Sequence, residues 1–135
     1  MERAVLARKL PPNTYHFCNM QTDCPFLAVA ARTNNGNIYT VRIELMSFPD
    51  QVPAAGVTRL LNDRMGNPLD TCNGLMHVLN CDWQGGTRIC HYGPRSWTPN
   101  VSLYKVFIKC RLWLELYELH LQTGKPIDHF VVHQQ

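Results

Sequence analysis

Hydrophobic and polar residues alternate most regularly in the second quarter of the chain. In the segment IYTVRIELM (38–46), the odd-numbered positions from Tyr39 to Leu45 are apolar and the positions between them are polar. This period of two is typical of a strand that has one face on a core and the other in water. The run FLAVAAR (26–32) precedes it, and the intervening Asn35-Gly36 pair favours a tight turn. The pattern predicts an antiparallel hairpin.

The sheet is expected to continue after a break. The segment SFPDQVPAAG (47–56) is excluded from a central strand because Pro49 and Pro53 lack the amide hydrogens of a ladder. Further short strands are predicted at VTRLL (57–61), LMHVLN (75–80) and TRICHY (87–92).

A long helix is predicted over SLYKVFIKCRLWLELYELHLQT (102–123), with Ser102 as its N-cap and Gly124 and Pro126 ending it. Its apolar residues fall on two sides. A broad stripe contains Leu103, Val106, Phe107, Cys110, Trp113, Leu114, Tyr117 and Leu121, and a second stripe contains Ile108, Leu112, Leu116 and Leu119. We expect the first to pack on the sheet. The second must meet the C-terminal segment HFVV, the N-terminal segment or a partner chain.

These elements indicate one α+β domain over residues 1–135. Residues 1–25 hold a short helix (ERAVLARKL) and a loop without a clear period, residues 26–92 hold the strands, and residues 93–135 hold the long helix and a tail. A chain of 135 residues that is 45% apolar and 17% charged suits a single core.

Charge and hydropathy exclude several function classes. A net charge of +3 with scattered basic residues does not favour nucleic acid as a partner. No apolar run approaches the roughly 20 residues that span a bilayer. The start MERAVLARKL lacks the features of a signal peptide, so we expect a cytoplasmic protein.

Six cysteines leave a choice between ordinary thiols, a metal site and a nucleophile. A cytoplasmic location disfavours disulfides, and no closely spaced ligand pair of the C-x2-C type favours zinc. We therefore expect no metal and no cofactor. The cysteines other than Cys90 are interpreted as ordinary thiols, and Cys110 as part of the core because it lies in the broad stripe.

Four segments carry a resemblance to a known family. FPDQVP (48–53) is similar to a Tyr-Pro…Pro segment, GTRICHY (86–92) to a Gly-x-Ile-Cys-Leu stretch, and SWTPNVSL (96–103) to a Trp-Ser-Pro before a central helix. In these the chain resembles the ubiquitin-conjugating enzymes (the E2 family). WLELYELHLQTG (113–124) is similar to the ending of shortened bacterial relatives from phage-defence operons.

The resemblance implies a fold and an activity. The fold is an antiparallel four-stranded meander with a central helix packed on one face. Cys90 is the residue that carries the C-terminus of a ubiquitin-like protein, or of a cGAS-like cyclic-oligonucleotide synthase, as a thioester for transfer to an amine. A separate activating enzyme uses the ATP. The chain departs from the family at the His-Pro-Asn motif, where it has HVLN, with His77 thirteen and Asn80 ten residues before Cys90.

The chemistry assigns roles to few side chains. Because the incoming acyl group is already a thioester, Cys90 needs no strong activation. Asn80, or the backbone around residues 91–93, is the candidate for stabilising an oxyanion. His77 is a candidate hydrogen-bond partner in the site. His91 should point to the opposite face from Cys90 if the strand stays extended, which disfavours a Cys90–His91 dyad.

Two other functions stay open from the sequence. One is a catalytically idle module of the same fold that only binds a defence protein or a ubiquitin-like partner. The other is a small cysteine hydrolase, which requires a base within about 3 Å of the Cys90 sulfur.

Overall fold

A computed structural model of the chain describes residues 2–83, 85–91 and 96–132. They form an antiparallel six-stranded sheet with strand order β1-β2-β3-β4-β6-β5 and a long helix packed on it. The elements in chain order are α1 (Glu2–Lys9), β1 (Tyr15–Cys18), β2 (Phe26–Arg32), β3 (Ile38–Glu44), β4 (Ala55–Val57), β5 (Val78–Leu79), β6 (Thr87–Ile89), α2 (Leu103–Thr123) and α3 (Ile127–Val132). The predicted α+β class and the helix on the sheet are confirmed. The expected count of four strands, which the resemblance implies, is corrected to six in the described part. Strand β4 begins at Ala55, inside the segment 47–56 that was expected to lie outside the sheet and two residues before the predicted strand at 57–61.

The predicted hairpin is the centre of the sheet. Strands β2 and β3 pair along their full lengths, from Phe26 opposite Glu44 to Arg32 opposite Ile38. Gly36 closes the turn with φ of 86°, a left-handed conformation that glycine adopts without a steric penalty. The alternation read from the sequence holds, because Tyr39, Val41 and Ile43 are all buried.

Strand β1 was not predicted from the sequence pattern, whereas β5 lies within the predicted strand LMHVLN (75–80). Strand β1 lies in a stretch without apolar periodicity and pairs with the outer edge of β2, so it depends on a neighbour that the local pattern does not reveal. Strand β5 forms a short hairpin with β6. Strand β6 also pairs with β4, which joins this hairpin to the rest of the sheet.

A close approach joins β4 to β6. A Cβ added to Gly56 would collide with the backbone carbonyl of Thr87, so only glycine fits there. The buried Thr87 hydroxyl accepts from the Leu61 N–H at 2.8 Å and donates to the Arg59 carbonyl at 3.1 Å. These contacts fix the strand that ends immediately before Cys90.

Helix α2 begins and ends where the sequence predicts. The Ser102 side chain accepts a hydrogen bond from the Lys105 N–H at 3.2 Å, which is an N-cap interaction. At the other end Gly124 has φ of 79° and donates its N–H to the His120 carbonyl at 2.8 Å.

The two stripes of α2 have different surroundings. The broad stripe is buried except for Leu121. Leu121 follows Glu118, whose carboxylate accepts a hydrogen bond from Asn35 in the turn of the β2–β3 hairpin. In the second stripe Leu116 is only 5% exposed, whereas Ile108 and Leu112 are each 41% exposed. The second stripe is therefore buried at Leu116 and open at Ile108 and Leu112.

A carboxylate fastens α2 to the hairpin. Glu118, which is 4% exposed, accepts hydrogen bonds from Asn35, Asn37 and the Tyr39 hydroxyl at 2.8–2.9 Å. Burial acts to raise the pKa of Glu118, but the hydrogen bonds together outweigh burial and lower the pKa.

Within the described residues, no helix combines the length and the apolar character needed to cross a membrane.

The unequal burial of the second stripe predicts different effects for two matched substitutions. Leu116→Arg should lower the free energy of unfolding by about 3 kcal/mol or more, because it places a charge in the core. Leu112→Arg should change it by less than about 0.5 kcal/mol. Urea denaturation of both variants measures this, and equal losses would contradict the assignment of Leu116 to the core.

Replacing the buried carboxylate should weaken the fold in a pH-dependent way. We expect Glu118→Gln to cost about 1–3 kcal/mol at pH 7, because three donors lose a charged acceptor. The lowered pKa means that the stabilisation is present above the unfolded pKa of about 4.3 and is lost as the pH falls through the folded value.

The difference between wild type and Glu118→Gln should therefore shrink in acid. Glu115→Gln is the matched control, since the Glu115 side chain, at 18% exposure, is less buried and should contribute less. A constant difference from neutral to acid pH would contradict the role of the Glu118 charge.

Candidate functional site around Cys90

Cys90 is half-buried and follows directly on β6. Its N–H donates to the His77 carbonyl at 2.9 Å, which extends the β5–β6 ladder one position beyond the Val78–Ile89 pair. Side chains alternate along a strand, so Ile89 enters the core while Cys90 lies on the opposite face with Arg88.

The surroundings of the Cys90 thiol favour its protonated form. Burial raises the pKa of Cys90, the nearby Cys72 thiol raises it further, and the Arg88 guanidinium acts in the opposite direction. Since the ordinary value for a cysteine is about 8.5, little thiolate is present at neutral pH. The Cys90 thiolate is therefore present in a small fraction of molecules at neutral pH, but its intrinsic reactivity as a nucleophile is high.

His91 is a weak base in these surroundings. Burial lowers its pKa to about 4, and the positive charges of Arg88 and Lys109 act in the same direction. Its Nδ1 lies 3.3 Å from the Ile89 carbonyl oxygen. The ring is thus neutral at pH 7, and its Nδ1 lies against the strand that precedes it.

His77 meets Cys90 through its backbone. Its carbonyl accepts the Cys90 N–H, but its imidazole Nε2 lies 2.9 Å from Oδ1 of Asp128 in α3. The Asp128 N–H in turn donates to the Leu75 carbonyl at 2.8 Å. The His77 side chain therefore joins the loop before β5 to the C-terminal helix, and a direct role for it at the thiol stays a prediction.

Asn80 lies at the far end of the β5–β6 hairpin from Cys90. It follows the Leu79–Arg88 pair, so it is three ladder positions, or about 10 Å along the strand, from the level of Cys90. Its Oδ1 accepts the Cys72 N–H at 2.8 Å. The register brings His77 to Cys90, and the hydrogen bond places Asn80 beside Cys72. The oxyanion role of Asn80 stays a prediction. Residues 92 and 93, the other oxyanion candidates, lie outside the described residues.

Two of the segments with family resemblance touch each other. The Trp97 indole Nε1 donates to the Pro49 carbonyl at 2.9 Å, and its ring meets the Phe48 ring edge-on with centroids 6.1 Å apart. The Phe48-Pro49 peptide bond is cis. These contacts join the segment before α2 to the segment that follows β3.

Three neighbours of the site were missed by the sequence reasoning. Arg88 is two residues before Cys90, so strand alternation alone places it on the same face. Cys72 and Asp128 carry no such local signal, because each comes from a loop or helix that only the folded chain brings to the hairpin. Among the described residues, no cluster of three or more His, Cys, Asp or Glu side chains could hold a metal ion.

The chain matches no protein-family model, no curated protein and no solved structure in comparisons with each.

The buried thiol should show its raised pKa in its reaction with iodoacetamide. We expect the rate constant at Cys90, followed by peptide mass spectrometry, to rise about tenfold per pH unit from about pH 7 to pH 8.5, without a plateau. Arg88→Gln should slow the reaction at each pH, because it removes the cation that favours the thiolate. Lys125→Gln, an exposed cation elsewhere, should leave it unchanged. A plateau below about pH 8 would contradict the raised pKa.

Proposed function

We propose that the protein transfers the C-terminus of another protein to an amine, with Cys90 as the thioester carrier, in the manner of the ubiquitin-conjugating enzymes. The observation that carries the proposal is the contact between Trp97 and the Phe48-Pro49 segment, which is 48 residues away. These two segments belong to the set whose sequences resemble the family, and they meet at Trp97, seven residues after Cys90 in the chain.

The first step is an exchange of thioesters. The Cys90 thiolate attacks the carbonyl carbon of a thioester delivered by an activating enzyme. A new C–S bond forms, the old C–S bond breaks, and the departing thiolate takes up a proton equivalent to the one that Cys90 lost. The raised pKa makes the Cys90 thiolate a stronger nucleophile once it has formed, but it also lowers the fraction of thiolate at neutral pH.

The second step forms an amide. A neutral amine attacks the thioester carbonyl, the resulting oxyanion collapses, and the Cys90 thiolate leaves while the nitrogen loses a proton. A hydrogen-bond donor aimed at the oxyanion is worth about 3 kcal/mol in such reactions. The Asn80 amide has its oxygen engaged by the Cys72 N–H, so its NH2 group is the end that can donate.

The resemblance also supplies the setting of the proposal. It points to a bacterial antiphage system, with a ubiquitin-like protein or a cGAS-like cyclic-oligonucleotide synthase as the protein carried. Because a separate activating enzyme performs the adenylation, this chain needs no nucleotide of its own.

A second candidate is an idle binding module of the same fold. It is favoured by the raised pKa of Cys90 and by the exposed apolar residues Ile108, Leu112 and Leu119 on α2, which offer area for a partner.

The test is to charge Cys90 directly. The protein is incubated with the ubiquitin-like or cyclase protein encoded beside it, the matching activating enzyme and ATP, and its intact mass is measured without reductant. We expect an adduct of the mass of that protein that dithiothreitol removes. Cys90→Ser should abolish the thiol-sensitive adduct, and Cys72→Ser, the matched control at the neighbouring thiol, should retain it.

Three outcomes would overturn the proposal. A thiol-sensitive adduct that survives Cys90→Ser would assign the carrier to another cysteine. Tight binding of the same protein without an adduct would favour the idle module. If the two proteins neither bind nor form an adduct, both candidate functions are excluded.

A further inference from the structure

A cleft of about 650 Å³ lies between α1 and the first turns of α2. Val5 and Lys9 line it from α1, and Tyr104, Lys105, Ile108 and Lys109 line it from α2. None of these residues has a role in the proposed transfer chemistry, and the two helices leave this surface open to a partner.

Three lysines give the cleft a positive rim. Lys9, Lys105 and Lys109 all line it, the Lys9 Nζ lies 5.9 Å from the centre of the Tyr104 ring, and no acidic residue lines it. Within residues 2–83, 85–91 and 96–132, neither Lys9 nor Lys105 forms an ion pair. A negatively charged partner reduces the mutual repulsion of these lysine charges.

The walls between the lysines are apolar. Val5, Ile108 and the Tyr104 ring line the cleft, and Ile108 is 41% exposed although it is a large aliphatic residue. The exposed Leu112 lies one helical turn further along α2, so the apolar surface continues beyond the cleft. A partner that fits this surface needs an apolar side chain as well as negative charge.

The start of α2 is not available to a phosphate. Helix N-termini bind anions through free backbone N–H groups, but the Leu103 N–H already donates to the Glu2 carboxylate at 2.9 Å. The Lys105 N–H donates to the Ser102 side chain at 3.2 Å. The Glu2 charge at this end also repels a second anion, so the positive charge available to a ligand is that of the lysine side chains.

We propose that this cleft docks an acidic peptide segment of a partner protein, one that carries an apolar or aromatic side chain between its carboxylates. Carboxylates spaced along a peptide reach the separate lysines, and the apolar side chain covers Val5 and Ile108. A second copy of this chain is a poorer occupant, because a symmetric contact through this face brings the same lysines against each other. The docking does not depend on acyl transfer by Cys90.

One residue of the cleft also acts on the end of β6. Lys109 lines the cleft and also acts on His91, the residue after Cys90, since its charge helps to lower the His91 pKa. A protein held in the cleft is therefore held beside the end of β6.

The test is a titration of the 15N-labelled chain with a short synthetic peptide of Glu and Asp residues around a central Leu-Phe pair. We expect amide shifts at Val5, Lys9, Tyr104 and Ile108, and weaker binding when salt is raised from about 0.05 M to about 0.5 M. The Lys9→Glu/Lys105→Glu double variant should weaken binding at least about tenfold. Arg8→Glu/Lys125→Glu, which makes the same change in net charge at exposed sites outside the cleft, should weaken it less than about threefold.

The alternatives give different results. Equal losses in the two double variants would show attraction to net charge alone and would overturn the proposal. So would full affinity for a peptide in which the Leu-Phe pair is replaced by glycines, or shifts of the same amides by ATP but not by the peptide. Running the titration on Cys90→Ser separates the two proposals, because docking should persist there even if charging of Cys90 fails.

Discussion

Packing of α2 on the sheet is the interaction on which the rest of the structure depends. Its broad apolar stripe supplies much of the core, and its buried polar atoms need partners because an unsatisfied polar group in the interior is costly. For Trp113 and Tyr117 those partners lie in loops. The Trp113 indole donates to the Met76 carbonyl at 2.9 Å, and the Tyr117 hydroxyl donates to the Asn62 carbonyl at 2.7 Å. The helix therefore fixes the irregular segments as well as the strands.

The position of Cys90 follows from this constraint. Trp113 holds the carbonyl of Met76, and the next residue, His77, accepts the Cys90 N–H. His77 has φ of 52°, an uncommon conformation for a residue with a side chain, and the Asp128 contact secures its ring. The backbone of Cys90 is thus tied to the core helix through two residues. Cys90, which directly follows the last residue of β6, gains a defined position through these contacts.

The parts of the fold that were predicted are those encoded by neighbouring residues. The β2–β3 hairpin follows from alternation and the Gly36 turn, and the ends of α2 follow from Ser102 and Gly124. The parts that were missed depend on contacts between distant segments. Strand β1 exists because β2 offers an edge, and Asp128 reaches His77 from 51 residues away. The same distinction holds around Cys90, which was singled out by its local motif, whereas its neighbour Cys72 belongs to a segment distant in the chain.

Burial of the Cys90 thiol has opposite effects on the two halves of a transfer reaction. A raised pKa strengthens the thiolate as a nucleophile and weakens it as a leaving group, because both properties follow its basicity. In the proposed transfer, an acyl group on Cys90 is accordingly easier to hold than to release. Release would then require the surroundings to stabilise the oxyanion or to position the amine, so that transfer would depend on the bound acceptor. For the proposed carrier, which must not lose its acyl group to water, this asymmetry is an advantage that follows from the partly buried position of Cys90 at the end of β6.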